Sequence, residues 1–278
     1  MTLSINCFSK KPLRPIFLKR IALKGTLGVK KYLLMILINI ISLLDANNVP
    51  LHEIAVVSLG SHCQSSLILR ELGLRRGAMP LDWLLSLDHK GLIQLINDEF
   101  SHMFDETYLT QYPEGYVINS RYNLDFRHDW STLDLLGELP DLASKYERRT
   151  KRFFQLPEIT KRVVFIRTVF DPRLNVLNNM PTYTPACTII NAQEAQELYD
   201  CLRNKFPDLD FVLAIVNFAH TDSGITDDML NIIEFKVANL VEDYKQFIPD
   251  LGNPDFFDTV YSGAKTVQCP TNPTDINR

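Results

Sequence analysis

The sequence has little of what builds a small crosslinked or metal-built protein. Its five cysteines, Cys7, Cys63, Cys187, Cys201 and Cys269, are scattered, with no CxxC pair and no zinc-type spacing. That pattern excludes a disulfide framework and a structural zinc site, so neither metal nor cofactor is expected. The odd count with long gaps suits a reducing, cytoplasmic compartment. No apolar run reaches the ~20 residues that a membrane-spanning helix needs. Internal repeats and low-complexity tracts are missing too. Acidic residues are absent from the first 44 positions, which hold eight Lys or Arg. The remaining chain carries 21 basic against 33 acidic residues, a net of −12 hidden beneath a formal total of −4. An acidic body excludes nucleic acid as the main ligand, because neutralising phosphates requires a basic surface.

What is present suffices for a sizeable core: 46% of the 278 residues are hydrophobic and 22% charged. Residues 1–50 read as a basic and apolar extension, residues 51–265 as one domain, and residues 266–278, rich in Pro, Thr and Asn, as a disordered tail. Within the extension, residues 32–44 are apolar except for Asn39 and Ser42, and no small-residue cleavage pattern follows. Three readings stay open for it: a helix packed on the domain, a peripheral membrane contact through residues 10–44, or a signal or anchor.

From Ile54 the pattern changes. The runs at 54–59, 162–167 and 211–218 are short, apolar and β-branched, as in strands buried on both faces. Helical periodicity at 191–206 lies between the last two. Strand, helix, strand predicts parallel crossovers, hence an α/β domain: three layers, a mostly parallel sheet and flanking helices. Residues 116–130 read as a hairpin or irregular strands, and 139–156 as a charged helix. After Gly60 a further helix opens, with Ser61 and Gln64 as a capping box and Gly73 as its C-cap.

That strand-to-helix turn puts Cys63 at the carboxyl edge of the sheet, where open α/β sheets keep their ligand crevices. Unpaired N–H groups and the helix dipole there favour a thiolate, and Gly60 lets the backbone come close to an oxyanion. The alternative is a buried structural thiol. A nucleophile needs a base. Among His52, His62, His89, His102, His128 and His220, the neighbour His62 points away from Cys63 on a helix, whereas His128 ends a strand-like run beside Asp129 and aromatics. Asp82 either caps the next helix or faces the cleft, Trp83 needs a partly buried slot, and Arg167 is an anion clamp or a surface ion pair.

The blocks Leu59-Gly-Ser-His-Cys-Gln64, Leu72-Gly-Leu-Arg75, Pro80-Leu-Asp-Trp83, His128-Asp-Trp130 and Phe165-Ile-Arg167 follow one another across residues 54–220. In kind and order they resemble the family of "putative papain-like cysteine peptidases", a bacterial family of otherwise unknown function. The string from Ser58 to Trp83 is the specific part. Members commonly carry Phe where this chain has Leu81 and Trp130. The resemblance implies Cys63 as nucleophile and His128 as base, with Asp129 or Asp82 orienting the imidazole. Gly60, Ser61, Gln64, Trp83 and Arg167 would line the substrate and oxyanion side. A papain-type fold packs its catalytic helix against an antiparallel barrel, so this expectation differs from the parallel sheet that periodicity predicts.

The first functional reading is a thiol hydrolase or acyl/amide transferase acting on an unknown peptide, amide or small molecule. The second is a non-catalytic α/β module whose Gly60-Ser61 turn binds a phosphate or sugar-phosphate. The third is a membrane-associated scaffold that depends on its basic N-terminus.

Overall fold

The computed structural model describes residues 53–61, 63–71, 73–86, 88–112, 116–126, 129, 134–169, 189–218, 222–226 and 228–237. The expectations for residues 1–50 and 266–278, for the base His128 and for Trp130 lie outside the described residues. So do His62, Cys7, Cys187 and Cys269.

The elements run β1 (Ile54–Ser58), α1 (Gln64–Glu71), β2 (Leu85–Ser86), α2 (His89–Asn97), β3 (Leu109–Gln111), β4 (Val117–Asn119) and β5 (Leu124–Asp125). They continue as α3 (Leu135–Phe154), α4 (Leu156–Ile159), β6 (Arg162–Thr168), α5 (Ala192–Lys205), β7 (Asp210–Phe218) and β8 (Ile232–Val237). Two sheets result. The larger is parallel, four strands in the order β1-β6-β7-β8, with Val57 opposite Phe165 and Phe165 opposite Leu213. The smaller is antiparallel, in the order β2-β5-β4-β3. The parallel α/β reading therefore holds for the main sheet, and the hairpin expected at 116–130 is β4 with β5.

Hydrophobic burial fixes which way the main sheet faces its helices. Val163 and Phe165 of β6 share a face, since strand side chains alternate. Phe165 meets Phe153 of α3 at 6.0 Å and Phe211 of β7 at 5.4 Å, while Phe153 meets Phe206, just after α5, at 5.4 Å. These rings are fully or almost fully buried. Such edge and tilted contacts add to the transfer free energy of the rings themselves. Arg167, two residues beyond Phe165, continues the same face toward the carboxyl edge.

Local signals account for most helix ends. Asn191 and Glu194 form a capping box at the start of α5, and Asp88 and Asp134 accept from the first-turn N–H groups of α2 and α3. The capping box expected of Ser61 and Gln64 is not formed. Helix α1 begins at Gln64 itself, and the Ser61 hydroxyl is buried with no hydrogen-bond partner among the described residues. Ser61 is instead drawn into the junction between the two sheets. Strand β8 escaped the sequence reading because Glu234 and Lys236 interrupt its apolar run; that alternation suits an edge strand with a wetter face.

Gly73 closes α1 as the sequence predicts. Its φ is +70°, its N–H donates to Arg70 O at 3.0 Å, and Leu74 N–H donates to Leu69 O at 2.9 Å. This is the Schellman pattern, and it needs a residue that tolerates the left-handed region. A Cβ at Gly73 meets nothing within 4 Å, so the conformation alone sets the cost of adding one. Gly73→Ala is expected to lower stability by about 1 kcal/mol, read from the urea midpoint at unchanged slope.

Candidate active site

The turn between β1 and α1 is held by hydrogen bonds from β6 rather than by a helix cap. Leu59 N–H donates to Ile166 O at 2.8 Å. Gly60 O accepts from both the N–H and the hydroxyl of Thr168, each at 3.0 Å, and Ser61 N–H donates back to Thr168 Oγ1 at 3.1 Å. Gly60 N–H is taken by Ser58 Oγ at 3.2 Å, and Ser58 Oγ lies 2.6 Å from Ser65 Oγ of α1. Gly60 has φ +84°, a conformation that a side chain would strain. The N–H groups of Gly60 and Ser61 are thus already committed within the protein. Cys63 stands two positions after Ser61, half-buried, one residue ahead of α1. The other described cysteine, Cys201, is buried in α5, where desolvation pushes its thiol up to about 11.

Arg167 does not end on the surface or at an open crevice. It is fully buried, and its Nη1 donates to Leu59 O and to Ser86 Oγ, both at 2.7 Å, while Nη2 donates to Ser86 O at 2.5 Å. Ser86 N–H in turn donates to Ser61 O at 2.7 Å. One guanidinium therefore joins β6, the Cys63 turn and β2 of the second sheet. Nearby, His89 at the start of α2 is buried, and desolvation followed by the Arg167 cation holds its imidazole below the ordinary value against the pull of Glu194 and Glu197.

Asp82 caps no helix. It is buried, and it accepts from Ser66 Oγ of α1, from Arg75 Nε and from Met79 N–H at 2.8 Å each. Arg75 Nη2 adds a further contact at 2.8 Å. Three of these contacts fall on Oδ2 and fill it, while Oδ1 accepts from Ser66 alone. The neighbouring Trp83 is buried, with the Arg75 and Arg70 guanidinium carbons 5.4 and 6.0 Å from its ring centre. Gln64 is the first residue of α1. Asp129 binds Lys145 Nζ through one oxygen and Tyr146 OH through the other. It keeps two lone-pair positions beyond these bonds.

The structure thus gathers Gly60, Ser61, Cys63 and Arg167 around a single turn, with Asp82 and Trp83 fastened to the helix that follows. Sequence reasoning missed Thr168, Ser58, Ser65 and Ser86, which hold the turn in shape. The one signal for Thr168 was a hydroxyl placed directly after the Phe-Ile-Arg block at a strand end.

A family model described as "Putative papain-like cysteine peptidase" matches residues 54–221, more than half of the chain. The chain belongs to this family. The matched region begins with β1 and ends just past β7, so it holds every element of the site. An uncharacterised protein of Acanthamoeba polyphaga mimivirus is 24% identical over 211 residues, covering 66% of this chain and 88% of the relative. That relative is viral, so the bacterial origin attached to the resemblance finds no support. No solved structure matches the chain. Membership supports a thiol hydrolase at the level of reaction class. The candidate site lies at the edge of a parallel sheet, whereas a papain-type fold would place it against an antiparallel barrel. No helix among the described residues is long and apolar enough to cross a membrane.

Replacing Arg167 tests the junction. Arg167→Met leaves the buried acceptors at Leu59 O, Ser86 O and Ser86 Oγ without their donor. A stability loss on the order of 3 kcal/mol is expected by chemical denaturation, with Arg167→Lys recovering only part of it. A loss under about 1 kcal/mol would mean that the junction is held elsewhere.

Proposed function

We propose that the protein is a thiol hydrolase or acyl/amide transferase in which Cys63 is the nucleophile and His128 the general base. The observation that carries this reading is the position of Cys63: half-exposed, at the carboxyl end of a buried parallel strand and directly before a helix. There the unpaired N–H groups of the first turn and the helix dipole favour the thiolate. Family membership gives the same reaction class.

Support for His128 comes from its described neighbours. Strand β5, three residues before it, pairs with β2, and Ser86 of β2 is bonded to Ser61 of the Cys63 turn. Phe126 N–H donates to Val117 O, and Asp129 N–H to Phe126 O, so the chain is anchored on both sides of the histidine. Of the two carboxylates named for orienting the imidazole, Asp82 keeps one lone-pair position, on Oδ1, and Asp129 keeps two and adjoins His128 in the chain. Asp129 takes that role in the proposal.

In the reaction, Cys63 sulfur attacks the acyl carbon and the base accepts the thiol proton. The tetrahedral oxyanion is stabilised by N–H groups at the start of α1, and the leaving group departs with the proton from the imidazolium. Water, or an amine in a transferase, then releases the acyl group from sulfur. Because the N–H groups of Gly60 and Ser61 are already donated, they do not serve as the oxyanion donors of this scheme. The same commitment disfavours a phosphate site on the Gly60-Ser61 turn.

Brief labelling of the native protein with iodoacetamide, read by mass spectrometry, tests the assignment. Cys63 is expected to label first and Cys201 last, and Cys63 labelling should persist below the ~8.5 at which an ordinary thiol ionises. His128→Ala should slow the labelling of Cys63, while His62→Ala should change it much less. Labelling of Cys63 only on unfolding would remove it as the nucleophile, and indifference to His128→Ala would remove the base.

A further inference from the structure

Helix α3 carries cations along one side. Lys145, Arg148, Arg149 and Arg152 recur at steps of three and four, the spacing of neighbours on a helix surface. Few carboxylates answer them. Asp129 is taken by Lys145 and Tyr146, and Asp82 by Arg75. Asp141 stands one turn before Lys145, and Glu147 one turn before Lys151. Among the described residues, Arg148, Arg149 and Arg152 form no ion pair with a carboxylate.

The geometry around these arginines is built rather than loose. The Arg152 side chain crosses to the loop after α1, where Nη1 donates to Ala78 O. It passes over Gly77, at which a Cβ would come within 3.2 Å of Arg152 Cδ. The Arg149 guanidinium carbon lies 4.8 Å from the Tyr146 ring centre, and its Nη1 is sealed from solvent with no hydrogen-bond partner among the described residues. A buried donor without an acceptor carries its desolvation cost uncompensated. Burial, and next the adjacent Arg149 cation, draw the Arg152 guanidinium below its ordinary value; Arg75 and Arg148 act in the same sense and Asp82 against it. Arginines that repel one another along one helix face, with no carboxylate paired to them among the described residues, form the setting that an oxyanion relieves.

We propose that Arg148, Arg149 and Arg152, beside the loop at Gly77, form a binding site for a phosphate monoester dianion. A single carboxylate would answer one of three charges, whereas a phosphate brings about two charges and three oxygens that match guanidinium forks. A long polyanion is a poor fit, because the body beyond residue 44 has a net charge of −12. The site makes no use of Cys63, so it stands or falls independently of the hydrolase reading.

The probes are inorganic phosphate and glycerol phosphate, titrated into the full chain by calorimetry and by thermal unfolding. Both should bind saturably and raise the unfolding midpoint. Arg149→Gln and Arg152→Gln should each weaken binding on the order of tenfold. Arg148 is exposed, so Arg148→Gln keeps the fold intact and should also weaken binding. In phosphate-free buffer that variant should raise the midpoint, since it removes a like charge from the stripe. Sedimentation with phosphatidylcholine vesicles containing phosphatidic acid separates the sources. Co-sedimentation that Arg148→Gln reduces assigns a lipid headgroup, and its absence beside intact phosphate binding assigns a soluble ester. The proposal is overturned if chloride at matched ionic strength reproduces the midpoint shift, or if the three variants bind phosphate as the parent does.

Discussion

The Arg167 guanidinium leaves β6 on the aromatic face, is sealed from solvent, and donates to Leu59 O, Ser86 O and Ser86 Oγ. Removing a cation from water costs several kcal/mol, and the cost is offset only where strong acceptors meet it with good geometry. Carbonyl groups supply that geometry here. The acceptors belong to two places, Leu59 at the Cys63 turn and Ser86 of β2, so Arg167 fixes the relative position of the parallel sheet, the Cys63 turn and the antiparallel sheet in one step. Its charge also reaches His89 at the head of α2, adding to the burial that lowers the imidazole's pKa.

Everything near Cys63 follows from that fastening. With Leu59 O held by Arg167, the next carbonyl falls to Thr168, whose hydroxyl also takes the N–H of Ser61. Ser58 and Ser65 tie the strand end to α1, and Ser66 ties the same helix to Asp82. The turn is thus specified by buried polar bonds from β1, α1, β2 and β6, and these hold it in shape. Cys63, just past this locked segment, remains partly open. That contrast with Cys201, whose thiol is buried and hard to ionise, makes the position suited to chemistry.

Much of this was legible in the sequence, for identifiable reasons. Runs such as Val163-Val164-Phe165 announce strands buried on both faces, and the helix at 191–206 between two of them announces a parallel crossover. Gly73 was readable because helix ends need the left-handed region. The site was read less fully. Cys63 stood out by its place after Gly60, but the capping box assigned to Ser61 went wrong because a Ser three residues before a Gln carries no sign of its tertiary partners. Thr168, 107 residues away from Ser61, is such a partner. Arg167 looked like a clamp or a surface cation because arginines at strand ends usually are, and nothing local shows that three oxygens wait for it. For Asp82, left open as a cap or a cleft residue, the same holds: Arg75, Ser66 and Met79 converge on it only through the fold. Strand β8 was overlooked because an edge strand alternates where central strands do not.

The central claim, that Cys63 forms an acyl-enzyme bond, is tested most directly by trapping that bond. The native protein is mixed with an activated acyl ester, quenched in acid and digested for mass spectrometry. The account predicts an acyl adduct on Cys63 that forms quickly, decays as product is released, and is absent from Cys63→Ala together with turnover. An adduct spread over the other cysteines, or none on Cys63 while turnover continues in Cys63→Ala, would contradict it.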